Sequence, residues 1–530
     1  MTEDSPQPKR IFGTEIEYGI IATGDAKANP IITSTQAVLA YAEQQEGGLA
    51  HRIRWDYAPE SPLRDSRGFD LRRYHTVPEV DPNAVGAANL VLQNGARFYV
   101  DHAHPEYSAP ETTTARDAVI ADRAGDQIML EAARLAAART DEEGNPGPQL
   151  KLYRNNVDGK GASYGAHENY LFCREVPFDD IVTALTPFFV TRQVFAGAGR
   201  VGLGTTGQEP GFQISQRADY IETTVSLETT LNRGIINTRD EPHADRDRWR
   251  RLHVIIGDAN MSETATFLKL GTTGLILSAV EAGVDFSDLA LRDPVAEISR
   301  VSRDLSCTHQ LEHDDHVTRR TAIEIQREYL ERVRRFDDDG SVTALWQEVL
   351  DLLADDPLKT SHLLDWTAKY ALLQGVRRRL GQQEQPAGWD HPKLAAIDFQ
   401  YADIDPERGL YHALVRRGSM KTLGVDAEVQ QAVTNAPEDT RAYIRGGLVR
   451  RFGKDVVAAS WESVVVDVSG NFRITHDTED AQLVRLTLSE ADRFSKADLA
   501  REGYGEILET TPYARELVEQ LQEYQERIQR

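Results

Sequence analysis

The chain has 530 residues, of which 40% are hydrophobic and 27% are charged, a composition typical of globular proteins. Its 60 Lys and Arg residues against 84 Asp and Glu residues give a net charge of −24, which repels phosphate and argues against non-specific nucleic-acid binding. The sequence contains no apolar run of the roughly 20 residues that cross a bilayer, and its N-terminus has no secretion signal. The two cysteines exclude a disulfide framework and a four-thiolate zinc site. We therefore expect a soluble, cytoplasmic protein without nucleic-acid or membrane partners.

The first half of the chain contains most of the predicted strands. Residues 1–9 are polar and are expected to be disordered. A strand in 10–20 places Glu15 and Glu17 on one face, and a strand at 96–100 delivers Asp101 at its end. The other predicted elements are a long loop at 43–87, a helix at 117–139, a strand at 149–156, strand candidates at 211–226 and 251–260, and a helix at 262–283 capped by Ser262. Pro105 and Pro110 are expected to prevent a central strand directly after Asp101.

Helical periodicity dominates the second half of the chain. Predicted helices cover 316–336, 343–355 and 362–381, and a last unit beginning near residue 431 holds a helix at 440–452, a strand pair in 461–474 and a helix at 511–527. The predicted fold class is α+β. We expect a large domain at 10–430 and a small C-terminal domain at 431–530.

Charged and imidazole side chains recur where strands would normally carry apolar ones. They are Glu15, Glu17, Tyr99, Asp101, Glu106, His167 and His253. Carboxylates and imidazoles gathered on one sheet face suit hard cations such as Mg²⁺, which often brings substrate phosphates with it. The alternatives are a solvated strand face for Glu15 and Glu17 and a hydrogen-bonded core histidine for His253.

The sequence contains neither of the common glycine-rich phosphate-binding loops, Gly-x-x-x-x-Gly-Lys-Ser/Thr or Gly-x-Gly-x-x-Gly after a strand. A bound nucleotide would therefore depend on metal ligands and on arginines near the strands, for which Arg97, Arg217 and Arg239 are candidates. Surface ion pairs are the alternative for each arginine. Trp461 is a candidate for stacking on a base, with core packing as the alternative. A Ser-His-Asp or Cys-His site has little support, because no Gly-x-Ser-x-Gly motif is present.

Long motifs of the chain resemble a known family of enzymes. They are GTEIEYGI (13–20), NGARFYVDHAHPEYSAPE (94–111), YRNNVDGKGASYGAHENYL (153–171), ISQRADYIE (214–222), INTRDEPHADRDRWRRLHVIIGDANMSE (236–263) and EDTRAYIRGGLVRRF with AASW (438–461). The chain resembles the deamidase/depupylase branch of the Pup-processing enzymes, which also include the Pup ligases and belong to the carboxylate–amine ligase superfamily related to glutamine synthetase. The long separation of Glu17 from Asn94 and the DHAHPEY spacing favour the deamidase branch.

The resemblance implies a glutamine synthetase-like domain with a curved, mainly antiparallel sheet flanked by helices, and a mobile loop at 43–87 beside the active site. It implies hydrolysis of the C-terminal carboxamide of Pup, a small acidic protein modifier, and cleavage of Pup–lysine isopeptide bonds. The implied cofactors are Mg²⁺ and an ATP that need not be consumed. The implied roles are catalysis for Asp101, metal binding for Glu15, Glu17, Tyr99, Glu106, His167 and His253, nucleotide binding for Arg97, Arg239 and Trp461, and substrate binding for Arg217.

Three alternatives to this function remain at the level of the sequence. A Pup ligase would use ATP stoichiometrically to form the isopeptide bond, and the long 43–87 segment counts against it. A small-molecule glutamate–amine ligase and a non-catalytic scaffold for Pup or pupylated proteins are the other two. The sequence leaves the oligomeric state open, a monomer included.

Overall fold

The computed structural model describes residues 9–25, 27–44, 53–58, 60–69, 88–140, 144–159, 161–381, 386–470 and 481–528. The predicted disorder of the N-terminus falls on residues 1–8, and much of the predicted 43–87 loop falls on 45–52 and 70–87, all outside the described residues. Both therefore stay predictions. Among the described residues, no helix combines the length and apolar character that crossing a membrane requires.

The strands and helices alternate irregularly along the chain. The strands are β1 (Phe12–Glu17), β2 (Gly19–Ala22), β3 (Arg54–Trp55), β4 (Asn89–Val91), β5 (Arg97–Asp101), β6 (His104–Ser108), β7 (Leu150–Tyr153), β8 (Ala166–Cys173), β9 (Arg200–Leu203), β10 (Glu209–Gln213), β11 (Thr223–Ser226), β12 (Gly234–Asn237), β13 (Trp249–Val254), β14 (Gln310–Glu312), β15 (Arg319–Thr321), β16 (Val456–Ala459), β17 (Ser463–Asp467) and β18 (Leu483–Thr487). The helices are α1 (Pro30–Gln44), α2 (Ala115–Ala138), α3 (Phe178–Thr191), α4 (Gln193–Ala196), α5 (Glu263–Glu281), α6 (Pro294–Arg303), α7 (Ala322–Val333), α8 (Ser341–Asp355), α9 (Asp365–Leu380), α10 (Pro392–Tyr401), α11 (Leu410–Arg416), α12 (Asp426–Ala432), α13 (Ala442–Phe452), α14 (Lys496–Arg501), α15 (Ile507–Thr510) and α16 (Ala514–Ile528).

Six strands form the central sheet in the order β13-β8-β1-β6-β5-β4, and each neighbouring pair is antiparallel. Successive side chains of a strand point to opposite faces, so Phe12, Ile16, Phe98 and Tyr107 are buried on one face while the acidic residues lie on the other. This observation confirms the α+β class and the mainly antiparallel sheet.

Helices cover the apolar face of the sheet. Helix α1 packs on β5 and β6, α2 on β1, and α5 on β8. Helix α5 starts as the sequence predicts, because the Ser262 hydroxyl accepts a hydrogen bond from the Ala265 N–H at 3.1 Å. The opposite, polar face of the sheet is therefore the one that carries the candidate functional residues.

Pro105 departs from the sequence prediction, because it lies within the central strand β6. Its carbonyl accepts a hydrogen bond from the Tyr18 N–H at 3.0 Å, one residue beyond the part of β1 that pairs with β6. Because Pro105 lies just outside the paired part of β1 and β6, the N–H that proline lacks does not interrupt the pairing of these two strands. Strands β5 and β6 are joined by a tight hairpin in which Asp101 opposes His104.

The other predicted strands are partly confirmed. The segment 211–226 is divided into β10, a 3-10 turn at Ala218–Tyr220 and β11, so the prediction of one strand there was wrong. Strand β13 begins earlier and ends earlier than the predicted 251–260. The predicted helices at 117–139, 343–355 and 362–381 correspond to α2, α8 and α9.

The C-terminal part has its own sheet, β18-β17-β16-β3, and a separate core that α13 and α16 share with it. Strand β3 lies in the first predicted domain yet pairs with β16 in the second, and the predicted boundary at 430/431 falls inside α12. These long-range pairings connect the two parts, and the domain limits themselves stay a prediction.

Candidate active site

The polar face of the central sheet brings acidic side chains from three neighbouring strands together. Glu15 of β1 lies opposite His167 of β8, and Glu17 of β1 lies opposite Glu106 of β6. Tyr99 of β5 opposes the same Glu106. The two-residue period of a strand is therefore what points Glu15 and Glu17 in the same direction.

The first group of ligand atoms comes from Glu15, His167 and His253, which all lie within 4.8 Å of one another. His167 Nδ1 is 3.1 Å from Glu15 Oε2, and the Asn169 amide donates to Glu15 Oε1 at 2.9 Å. Burial raises the pKa of Glu15, but hydrogen bonding to His167, together with the charge of Arg251, holds it well below its usual range. Burial, followed by the charge of Arg251, holds the pKa of His253 well below its usual range. A carboxylate and a neutral imidazole are the forms that bind metal ions.

The second group consists of the carboxylates of Glu17, Asp101 and Glu106, whose ligand atoms also lie within 4.8 Å of one another. Burial, together with the charges of Asp101 and Glu17, raises the pKa of Glu106 well above its usual range. Three converging carboxylates repel one another, and a hard divalent cation with oxygen ligands removes that repulsion. The donor chemistry therefore fits Mg²⁺.

Asp101 is the most accessible of these three carboxylates. Its side chain is 37% exposed, whereas that of Glu17 is 9% exposed. Burial raises the pKa of Asp101, but hydrogen bonding to His102, whose Nδ1 is 3.0 Å away, lowers it below its usual range. Asp101 is therefore ionised at neutral pH and partly accessible, as a nucleophile or general base must be.

Arg97 is stacked between two aromatic rings beside these groups. Its guanidinium lies 4.1 Å from the centre of the Trp55 ring and 3.9 Å from that of Tyr99. Trp55 in turn meets Trp461 edge to face at 5.3 Å. The pKa of the Tyr99 phenol lies well above its usual range because of burial and the charge of Glu106. The role of Tyr99 as a metal ligand stays a prediction.

Trp461 lines a cavity next to the first group of ligands. Glu15, Asn169, Arg251 and His243 also line this cavity. Arg251 contacts the Asn169 side chain at 3.1 Å. An aromatic ring, a cation and one candidate metal ligand, Glu15, on the same cavity suit a flat base attached to phosphates.

The guanidinium groups of Arg217, which is buried, and Arg239, which is half-buried, have incomplete hydrogen bonding. In each, the Nε atom is buried without a hydrogen-bond partner among the described residues. Burial lowers the pKa of Arg239, as does the charge of Arg251. Burial, followed by the charge of Arg233, lowers the pKa of Arg217 to about 10. An anionic group that reached either Nε atom would therefore supply the missing hydrogen-bond partner.

The sequence-based prediction missed several residues that the structure adds to the site. Asn169 and Arg251 were detectable, because each lies two positions from a selected histidine on the same strand and so on the same face. Trp55 was not detectable in this way, since only tertiary packing brings the 53–58 segment against Arg97. His104, whose Nδ1 is 3.2 Å from Glu17 Oε2, follows a hairpin turn that the prediction did not include.

Comparison with known proteins agrees with this arrangement. The family model described as Pup-ligase protein matches residues 10–465. The Pup deamidase/depupylase of Mycolicibacterium smegmatis is 53% identical over 522 residues, which are 97% of this chain and 99% of that protein. The chain therefore belongs to the Pup-ligase family.

Two solved structures of Pup ligases are similar to the chain. The complex between the prokaryotic ubiquitin-like protein Pup and its ligase PafA gives a TM-score of 0.73 at 29% identity, covering 97% of this chain and 94% of that one. The ligase PafA in complex with ADP gives a TM-score of 0.68 at 32% identity, covering 81% of this chain and 94% of that one.

Proposed function

We propose that this protein is an ATP- and Mg²⁺-dependent amidohydrolase that converts the C-terminal Gln of Pup to Glu and cleaves the isopeptide bonds of pupylated proteins. The observation that carries the proposal is the position of Asp101, an ionised and accessible carboxylate at the edge of the Glu17 and Glu106 group. The name of the 53% identical relative supports the same reaction.

The proposed cofactors fit the donor groups of the site. Glu15, His167 and His253 would hold one cation, and Glu17 and Glu106 would hold a second, with Tyr99 as a further ligand. Arg97, Arg239 and Trp461 would contact the nucleotide, a proposal to which the ADP-bound ligase lends support. When bound, Mg²⁺ would supply the positive charge that balances the converging carboxylates and the nucleotide phosphates and that polarises the substrate carbonyl.

Asp101 acts on the amide carbonyl by one of two routes. As a nucleophile, its Oδ forms a bond to the carbonyl carbon and the C–N bond breaks, while the departing ammonia or lysine amine takes a proton from a water molecule. The hydroxide left from that water then attacks the anhydride, which releases the product carboxylate and frees Asp101. As a general base, Asp101 takes a proton from a water molecule that attacks the same carbon, and then gives this proton to the nitrogen that leaves as the C–N bond breaks. In both routes the buried Arg217 is suited to binding a substrate carboxylate.

Pup is proposed as the partner because it is the modifier named for the relatives, one of which has been solved with it. Buried arginines in the site attract an acidic chain locally, despite the net charge of −24. We place the proposed activity in the cytoplasm, where ATP is available.

Mass spectrometry of Pup with a C-terminal Gln tests the proposal. Incubation with the protein, Mg²⁺ and a non-hydrolysable ATP analogue is expected to convert the carboxamide to a carboxylate, with the corresponding small gain in mass. An unchanged mass, together with attachment of Pup to lysine when hydrolysable ATP is supplied, would instead identify a ligase. No reaction in either mixture would favour a scaffold.

A further inference from the structure

Gly165 connects the two groups of ligands. It precedes β8, the strand that carries His167, and its N–H donates a hydrogen bond to Glu17 Oε1 at 2.6 Å. Its carbonyl accepts a hydrogen bond from the Glu17 N–H at 3.1 Å. One glycine therefore holds both the backbone and the carboxylate of Glu17.

Side-chain atoms already occupy the space that a side chain at position 165 would enter. A β-carbon built on its backbone would lie 2.5 Å from His167 Nε2 and 2.7 Å from Glu17 Oε1, separations well inside van der Waals contact. The φ angle of Gly165 is not in the left-handed region. Any side chain at this position would therefore displace these two side chains, whereas the backbone conformation itself would accept one.

The neighbouring residue prevents the segment from moving away. The Tyr164 carbonyl accepts hydrogen bonds from Arg217 and from the Asn156 amide. The Tyr164 ring stacks on His104 at 4.2 Å, and His104 in turn contacts Glu17. Because the backbone is held on this side, an added methyl group would be accommodated by displacing the ends of His167 and Glu17.

We propose that Gly165 is a positioning residue whose lack of a side chain lets His167 and Glu17 approach each other, so that both metal sites form side by side. This inference depends on the proposed function only in treating the two groups as metal sites. It predicts that an added methyl group weakens metal binding while leaving the fold intact, since the displaced atoms are side-chain ends rather than backbone.

Gly165→Ala tests the proposal, with Gly159→Ala as the matched control. A β-carbon at Gly159 meets no atom within 4 Å, and this residue lies on the same connection between β7 and β8. The probe is Mn²⁺, titrated into the metal-depleted full-length protein and followed by electron paramagnetic resonance of the free ion. We expect Gly165→Ala to bind Mn²⁺ about 10- to 100-fold more weakly than wild type, the usual effect of disturbing groups that orient metal ligands. The Gly159→Ala variant is expected to bind as wild type, and both variants are expected to keep the wild-type melting temperature.

A second pair of variants covers the case in which Gly165→Ala does not fold. In a His167→Ala protein the imidazole that lies nearest to a β-carbon at position 165 is absent. Gly165→Ala is therefore expected to fold in that protein, and to weaken Mn²⁺ binding at the Glu17 group by displacing the Glu17 carboxylate. Wild-type Mn²⁺ affinity of folded Gly165→Ala, or equal affinity of the His167→Ala protein with and without Gly165→Ala, would overturn the proposal. Failure of the wild-type protein to hydrolyse Pup would instead count against the proposed function and leave this Mn²⁺ comparison valid.

Discussion

Replacing Glu168 by Gln tests which face of β8 serves the site. Glu168 follows His167 directly, yet its side chain points to the opposite, buried face and is paired with Arg192 through contacts of 2.6 and 2.9 Å. The Tyr170 hydroxyl also donates to it at 2.6 Å. Glu168 is 1% exposed, so it belongs to the support of the sheet rather than to the metal site.

The expected loss of stability follows from this geometry. A glutamine keeps the shape of the side chain but turns one accepting oxygen into an NH₂ group that faces the guanidinium of Arg192. Removing one charge of a buried, hydrogen-bonded pair costs about 3–5 kcal/mol, because the other charge stays buried without compensation. We expect Glu168→Gln to lower the free energy of unfolding by that amount while the folded fraction binds Mn²⁺ normally.

The comparison variant is His167→Asn, one position earlier in the chain. Its side chain lies on the polar face, so we expect clearly weaker Mn²⁺ binding with little loss of stability. Two assays check this. Urea unfolding, monitored by circular dichroism, gives the free energy of unfolding, and Mn²⁺ titration of each protein at urea concentrations below its unfolding transition gives the metal affinity. Weak Mn²⁺ binding by folded Glu168→Gln, or an unchanged unfolding free energy, would refute the assignment of faces.

Further predictions concern the reaction itself. Asp101→Asn is expected to lower Pup hydrolysis by about 10²- to 10⁴-fold, the usual contribution of a general base, while a fluorescent ATP analogue still binds; near wild-type hydrolysis would remove Asp101 from its role. Glu15→Ala is expected to weaken Mg²⁺–nucleotide binding by about tenfold or more, equal to at least ~1.4 kcal/mol, and unchanged affinity in calorimetry would contradict its role as a ligand. Asp258→Asn is expected to raise the KM for Pup more than it lowers kcat, because the Asp258 carboxylate holds the backbone of Arg217. It accepts hydrogen bonds from the backbone N–H of Arg217 at 3.2 Å and from the Ser215 hydroxyl at 2.9 Å; an unchanged KM would exclude this indirect effect. Chelation by EDTA is expected to abolish hydrolysis, with recovery on adding Mg²⁺, and full activity without metal would contradict both metal sites.

The sequence alone determined the local features of this protein. Strand alternation placed Glu15 and Glu17 on one face, and the structure joins them to the groups that the prediction selected. Ser262 was recognisable as a helix cap because capping involves residues only three positions apart. The long motifs were sufficient to identify the family, since they preserve these local patterns over most of the chain.

Only the tertiary structure decided which distant segments meet. Trp55 contacts Arg97 because β3 pairs with β16 from the far end of the chain, and no local pattern encodes that pairing. Pro105 lies in a central strand because the neighbouring β1 ends where the missing N–H would be needed. The preference for glycine at position 165 arises from the positions of His167 and Glu17, which are brought together only after β1 and β8 have paired. Local periodicity depends on neighbours in sequence, whereas these features depend on neighbours in space. The physical reason for the difference is that packing across the whole sheet fixes the register of its strands.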